Sequence, residues 1–438
     1  MARRFPFDRL LRRRSWLLGS ALAGVAASGL LRALAAEAGP TRPKRSCLIL
    51  WMDGGPSQTD TFDMKHGHAN GGPFRPIDTS APGVQICEHL PETARWMHTM
   101  SVIRSMSTRE GDHGRATVDL RTGYRPDGPI QYPVLGSLVA HECGPQAGAL
   151  PNYVSILTRG LFRPGIPPAG FLGTEFSPLL VGSGSDTDER LTVENLSLAD
   201  GVADGQARNR LELLQEMERP FLEARPGMAV AGHRTAYSRG MRLMSPAAAE
   251  VFDLDQETPE THARYGTSRF GQGCLLARRL LQHDVPFVEV SLGGWDTHAD
   301  NFASVRRLCE TLDRPWAALL QDLQETGLLE STLIVWMGEF GRTPAINPQT
   351  GRDHYPAAWS AVLGGCVRGG SVVGRTSDDG MTVEDRPVTT PDLLATICHS
   401  LGLDPRKQNL SNVGRPIRLV DPEARPLDSI LATQDQQG

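Results

Sequence analysis

Each feature this sequence lacks removes a class of function. No C-x-x-C pair occurs: the seven cysteines (Cys47, Cys87, Cys143, Cys274, Cys309, Cys366 and Cys398) are scattered, most of them among apolar neighbours. That spacing excludes a zinc finger and a dense disulfide framework. It leaves small buried hydrophobes as the expected role for most, with one or two bridges open outside the cytoplasm. Positive charge is not in excess either. Lys+Arg 45 against Asp+Glu 50 gives a net charge of −5, which argues against a nucleic-acid partner. No internal repeat is visible. The apolar run from Trp16 to Leu31 is too short and too rich in small residues to span a bilayer well. Finally, no G-x-S-x-G frames Ser57 in "GGPSQTDTFD", so Ser57 reads as a turn residue before it reads as a nucleophile.

What is present begins with the leader. The first 38 residues carry seven Arg against two acids, a charge of +5, so the remainder holds about −10. "MARRFPFDRLLRRRSWLLGSALAGVAASGLL" has an arginine-rich start and then an Ala/Gly-rich apolar stretch. "ALAAEA" follows and suits a signal peptidase after Ala35 or Ala38. "RRSWL", with Arg13, Arg14, Trp16 and Leu17, resembles the twin-arginine signal. Residues 1–38 are therefore expected to be a signal peptide read by the twin-arginine export machinery. The mature chain is expected in the periplasm, outside the cell or at the envelope. An amphipathic N-terminal helix or membrane anchor is the plainer alternative.

Residues 39–438 are expected to form a single α/β domain, because strand-like runs alternate with helical ones. "SCLILWM" is a continuous apolar run, as in a strand buried on both faces. "SVIRSM", "PNYVSIL", "VPFVEVSL", "STLIVWM" and "PAAWSAVLGG" read as further strands. "HARYGTSRFGQGCLLARRLLQHD" has helical spacing. So does "NFASVRRLCETLDRPWAALLQDLQETG", where the proline is expected to kink or split the helix. In "TTPDLLATICHSLGL", Thr390 reads as the N-cap and Pro391 as the first helical residue. The Gly/Pro/Ser/Asp-rich stretch near 160–205 reads as a loop-rich insertion.

Polar residues gather where these strands stop. "LILWMDGG" ends in Asp53, "VEVSLGGWDTHADNF" in Asp296 and His298, and "LIVWMGEFGRTP" in Glu339, while "GRDHYP" supplies Asp353 and His354. In a parallel sheet the carboxyl ends of the strands share one edge, and ligands bind in the crevice there. Asp, Glu and His side chains converging on it suit one or two divalent ions: zinc, manganese, calcium or magnesium. Each has a bland counterpart. Asp53 could set a turn, Glu339 could be a paired core acid and His354 a loop residue, and Asp300 reads as the N-cap of the next helix. A helix from His113 to Thr122 would begin beside this edge. Its N-terminus and Arg115 could face an anion, although Arg115 serves equally as a surface ion pair.

These motifs resemble the alkaline phosphatase/sulfatase superfamily. More closely they resemble a branch of exported proteins catalogued as domain of unknown function fifteen-oh-one. The resemblance runs from about Lys44 to Asp421 and is carried by "GGPSQTDTFD", "DHGRATVDLRTGYRP", "GWDTHADNF", "VWMGEFGRTP", "GRDHYP" and "RPVTTPDLLATICHSLGLDP". It implies a three-layer sandwich in which a mostly parallel sheet lies between helices, with paired metals at its carboxyl edge. It also implies metal-ligand roles for Asp53, Asp296, His298, Glu339 and His354. Two departures stand out. His113 occupies the position of the sulfatase nucleophile, which excludes formylglycine chemistry there, and Phe340 replaces the histidine of an Asp-His-Gly motif.

Two functions follow as expectations. The first is an exported metal-dependent hydrolase of phosphate or sulfate esters, small molecules or glycans, with polysaccharides among the candidate carriers. In it His113, Arg115 and Glu339 are the catalytic candidates, with His113 or Glu339 as the base for an activated water. The second is a non-catalytic sulfatase-like protein that binds anionic glycans or cell-surface partners.

Overall fold

The run Ser46 to Met52 offers no polar alternation, so neither of its faces suits water. In the computed structural model it becomes β1 (Ser46–Asp53), near the middle of an eight-stranded sheet. The structure describes residues 45–432, apart from 126–127, 145–147, 159–167, 183–189, 192, 194, 195, 197, 199, 200, 225–236 and 238. The expected signal peptide, residues 1–38, therefore lies outside the described residues. Arg45–Gly438 cluster as one compact unit.

The other strands of the sheet are β2 (Met100–Met106), β3 (Tyr153–Ile156), β4 (Leu179–Val181), β5 (Phe287–Gly293), β6 (Thr332–Met337), β7 (Trp359–Gly365) and β8 (Ser371–Val373). Their spatial order is β8-β2-β7-β6-β1-β5-β3-β4. β1 lies parallel to β5 and to β6, with Leu50 opposite Val290 on one side and Trp336 on the other. Only β7 runs against the rest, between β6 and β2. The expected α/β class and three-layer plan are what is found.

Alternate residues of β1 supply the two cores. Leu48, Leu50 and Met52 pack into the layer that holds α3 (Arg269–Gln282) and α4 (Asn301–Glu325). Cys47, Ile49 and Trp51 face the layer of α1 (His113–Thr122), α2 (Leu135–Glu142) and α5 (Thr390–Ser400). Burying one such leucine contributes roughly 1.5–3 kcal/mol.

Several local expectations shift. Pro315 neither splits nor ends α4, which runs unbroken from Asn301 to Glu325. The N-cap of α5 is Thr389 rather than Thr390: its hydroxyl accepts from Asp392 N, and the Asp392 carboxylate accepts from Thr389 N in a capping box. Asp300 does hold the N-cap position of α4, but in a left-handed conformation (φ 47°) and without a capping side-chain bond. "HARYGTSRFGQGC" holds two helices, Pro259–Tyr265 and α3, separated at Gly266. The stretch 160–205 lies largely outside the described residues, yet it contributes β4, a three-residue edge strand paired with β3. So short a strand leaves no periodicity to read.

Candidate metal centre

The two glycines after β1 explain how the strand ends come together. Gly54 has φ 110°, a conformation that a side chain resists. A Cβ on it would lie 2.5 Å from the backbone nitrogen of Asp296. Asp53 pairs with Gly293 at the last register position of β1 and β5, and Trp295 N donates to Asp53 O at 3.2 Å. Asp296 is thereby laid against the end of β1.

α1 starts at the same place. Asp112 caps it by accepting Arg115 N at 3.0 Å, and Gly123 closes it with φ 74°. The helix spans His113–Thr122, as the sequence predicts. His113, its first residue, sends Nδ1 to Glu339 Oε1 at 2.6 Å. The same oxygen accepts Gly54 N at 2.9 Å. Glu339 is fully buried, and its Oε2 has no partner. His354 Nδ1 meets the Gly111 carbonyl oxygen at 2.7 Å, and His298 Nδ1 meets Asp353 Oδ1 at 2.7 Å.

Each of these three partners can only accept, so all three Nδ1 atoms carry the proton. A neutral ring then presents a bare lone pair at Nε2. These lone pairs converge. The Nε2 atoms of His298 and His354 are 2.9 Å apart. Asp296 Oδ1 lies 3.3 Å from His113 Nε2, 3.1 Å from His298 Nε2 and 3.4 Å from His354 Nε2. His113 Nε2 makes no hydrogen bond despite its distance from the carboxylate. Electron-rich atoms of His113, Asp296 and His354 thus face one another, with His298 Nε2 beside two of them, and an added proton or a metal ion relieves the repulsion. The donor set fits a metal ion, and the outer hydrogen bonds are those that orient imidazole ligands.

Among the described residues, His113, Asp296 and His354 form the one group whose ligand atoms all lie within 4.8 Å of one another, with His298 adjoining through its contacts to two of them. His113, expected as a catalytic group, lies in this group. Glu339, expected both as a ligand and as a catalytic group, lies outside it and is bonded to His113 Nδ1. Asp53 lies outside the group, where burial and then the Glu339 charge push its carboxyl above the usual range. Arg115 closes its fork on Glu110, with Nε to Oε2 at 2.9 Å and Nη2 to Oε1 at 3.2 Å. Ser57 is buried, and its Oγ donates to Asp60 Oδ2 at 2.6 Å, in keeping with a turn residue. Cys47, Cys87, Cys274, Cys309, Cys366 and Cys398 are buried free thiols.

Arg342 was not singled out in the sequence. It is fully buried and donates through Nη2 to Asp296 Oδ1 at 2.5 Å and to the Gly54 carbonyl, and through Nε to Gly55 O at 3.0 Å. Burial, the largest single influence, would raise the Asp296 carboxyl, but the bond and charge of Arg342 together with the charges of His113 and His298 hold the group below its ordinary range. For His113 the bond to Glu339 dominates and raises the ring's pKa against the opposing effect of burial. Phe340 packs against the rings of both His113 and His354, with centroids 4.8 and 4.7 Å away. Nothing in "GEFGRTP" marks its arginine as buried, so only the fold reveals it.

The chain is similar to several solved structures. One is the PsFucS1 sulfatase from Pseudoalteromonas sp., at 13% identity and TM-score 0.41, covering 87% of this chain and 71% of that one. Another is the phosphonate monoester hydrolase of Agrobacterium radiobacter, at 12% identity and TM-score 0.35, covering 88% and 76%. A third is a protein in the alkaline phosphatase superfamily from Vibrio parahaemolyticus, at 10% identity and TM-score 0.37, covering 82% and 67%. No curated protein matches this sequence. The model of the family described as protein of unknown function (DUF1501) matches residues 44–431, and the chain belongs to that family.

Proposed function

We propose that this chain is an exported metal-dependent hydrolase of phosphate or sulfate esters, with His113, Asp296, His298 and His354 holding one divalent ion. The observation that carries this reading is the convergence of three imidazole lone pairs and one carboxylate oxygen, with every Nδ1–H engaged elsewhere. A nitrogen-rich set favours zinc over manganese, calcium and magnesium, which prefer oxygen ligands. Bound there, a divalent ion supplies Lewis-acid neutralisation of a developing oxyanion. The motif resemblance supports phosphate or sulfate as the ester class, and the arginine-rich leader supports export.

The chain's own residues do the remaining work. Glu339 fixes the ring orientation and tautomer of His113, and Arg342 keeps Asp296 ionised. Side-chain exposures of 46% for both Asp296 and His298 leave this side open to an ester on a large carrier. Ser57 is committed to Asp60, so water is the nucleophile this reading requires. Four side-chain donors could also fill a tetrahedral ion completely, and that favours the second reading, a binding protein for anionic glycans.

Elemental analysis of the purified mature protein, with His354→Ala and Asp296→Ala alongside, tests the first reading. About one zinc or manganese per chain, lost in both folded variants, together with turnover of 4-nitrophenyl phosphate or sulfate, supports the hydrolase. Bound metal without turnover of any ester supports the binding protein. Absence of metal in the folded wild type after dialysis against several divalent ions defeats both metal-based readings. Export is tested separately: Arg13→Lys/Arg14→Lys should leave unprocessed precursor in the cytoplasm.

A further inference from the structure

A second polar cluster adjoins the ligand-bearing loops and takes no part in the proposed chemistry. Asp60 and Arg352 are both fully buried. The guanidinium grips the carboxylate twice, Nε to Oδ2 at 2.7 Å and Nη2 to Oδ1 at 3.0 Å. Asp60 Oδ2 also accepts Ser57 Oγ at 2.6 Å and Asn301 Nδ2 at 2.8 Å. Arg352 directs its other N–H groups to carbonyls: Nη1 to Thr343 at 3.1 Å and to Pro344, and Nη2 to Asn70 at 2.8 Å.

The partners belong to the three segments that build the site. Ser57–Asp60 follow the Gly-Gly turn of β1. Thr297 and Asn301 bracket His298; Thr297 Oγ1 donates to Asn301 Oδ1 at 2.6 Å, and Thr297 O accepts Arg352 N at 3.0 Å. Arg352 itself immediately precedes Asp353 and His354, and its carbonyl accepts Arg342 Nη1 at 3.2 Å. The loops touch backbone to backbone as well: a Cβ on Gly351 would fall 1.8 Å from the His298 carbonyl oxygen.

A buried ion pair is a poor source of net stability, since apolar residues of similar volume often do as well or better. What the pair supplies is a fixed geometry among three segments that share no regular secondary structure. The geometry points to Asp60 and Arg352 as positioning residues that hold the loops of Asp296, His298 and His354 in their ligand arrangement before any ion arrives. This rests on the metal reading of the site.

Two variants test it: Asp60→Asn, which keeps the shape and removes the charge, and Asp60→Leu/Arg352→Met, which keeps the volume. The readouts are zinc affinity by competition titration, thermal unfolding, and amide exchange of the metal-free protein at residues 294–301 and 342–355. The expected result is at least about tenfold weaker zinc binding, with faster exchange confined to those two segments and unfolding of the double variant close to wild type. Unchanged zinc affinity in either folded variant overturns the proposal and leaves the metal reading intact. Faster exchange throughout the chain also overturns it, because that marks a general stabilising role. If the wild type binds no zinc, the metal reading falls and exchange alone decides. Local acceleration then sustains the positioning role, and unchanged exchange overturns it.

Discussion

Glu339 accepts two N–H groups through one oxygen, from His113 and from Gly54, and that determines what His113 can do. With its Nδ1 proton held by a buried carboxylate, the ring binds an extra proton more readily than the ordinary value of 6.5 allows. The stabilisation from this pairing is full below the unfolded pKa and is lost as pH rises through the elevated folded pKa. A metal ion at Nε2 competes with that same proton. Metal affinity should therefore climb as pH rises through the elevated range, measured by titration at fixed ionic strength. Glu339→Gln should shift the climb to lower pH and weaken binding about 10–100-fold, as loss of a ligand-orienting group does. A climb that does not move would show that Glu339 leaves the basicity of His113 unaffected.

Elements meet in this molecule through close backbone approaches and paired charges, and both make predictions. Gly351→Ala places a methyl group against the His298 carbonyl, so the loops must separate. The expected cost is about 1–3 kcal/mol of stability, with metal affinity falling alongside, as denaturant unfolding and metal titration would record. Farther from the site, Glu257 joins α3 through Arg278 Nη2 at 2.5 Å and through Arg279. Burial alone would raise its carboxyl, but the two arginines outweigh it and hold the pKa down. This contribution is present above the usual carboxylate range and is lost as pH falls through the depressed folded pKa. Glu257→Gln should therefore cost about 1 kcal/mol at neutral pH and nothing in strong acid, as denaturant midpoints across pH would show.

What the sequence made legible was local. α1 was placed at the bounds the structure gives it, where Asp112 and Gly123 are the caps, and Asp296, His298 and His354 stood out because ligand types gathered where strands stop. The N-cap of α5 slipped by one because two threonines precede the proline, and only the reciprocal bond to Asp392 distinguishes them. Arg342, Arg352 and Asp60 were not legible. A buried charge is defined by partners hundreds of positions away, and an arginine in a glycine-rich loop reads as solvated until those partners are known. The bond between His113 and Glu339 has the same origin, since residue type names a potential ligand while only the fold shows which groups are paired.

At the scale of the whole molecule, stability rests on the layer between the sheet and α4. There Trp336 of β6 meets Phe62 edge-on at 4.7 Å and lies parallel to Trp316 of α4 at 6.3 Å. Trp336→Ala should lower unfolding stability by about 3–5 kcal/mol and weaken metal binding only through partial unfolding. A variant that lost metal affinity while keeping its denaturant midpoint would contradict this.

The position of β1 also has a consequence for synthesis. Its two neighbours are β5 and β6, so Leu50 waits for Val290 and Trp336. At about 5–20 residues per second, the ribosome takes on the order of ten seconds or more to make the roughly 240 residues between Leu50 and Val290. Throughout that interval a strand that is apolar from Cys47 to Met52 emerges with neither edge paired. Its nascent form therefore exposes apolar surface for all of that time, and the candidate metal centre, which includes His354, cannot assemble until that residue has been made.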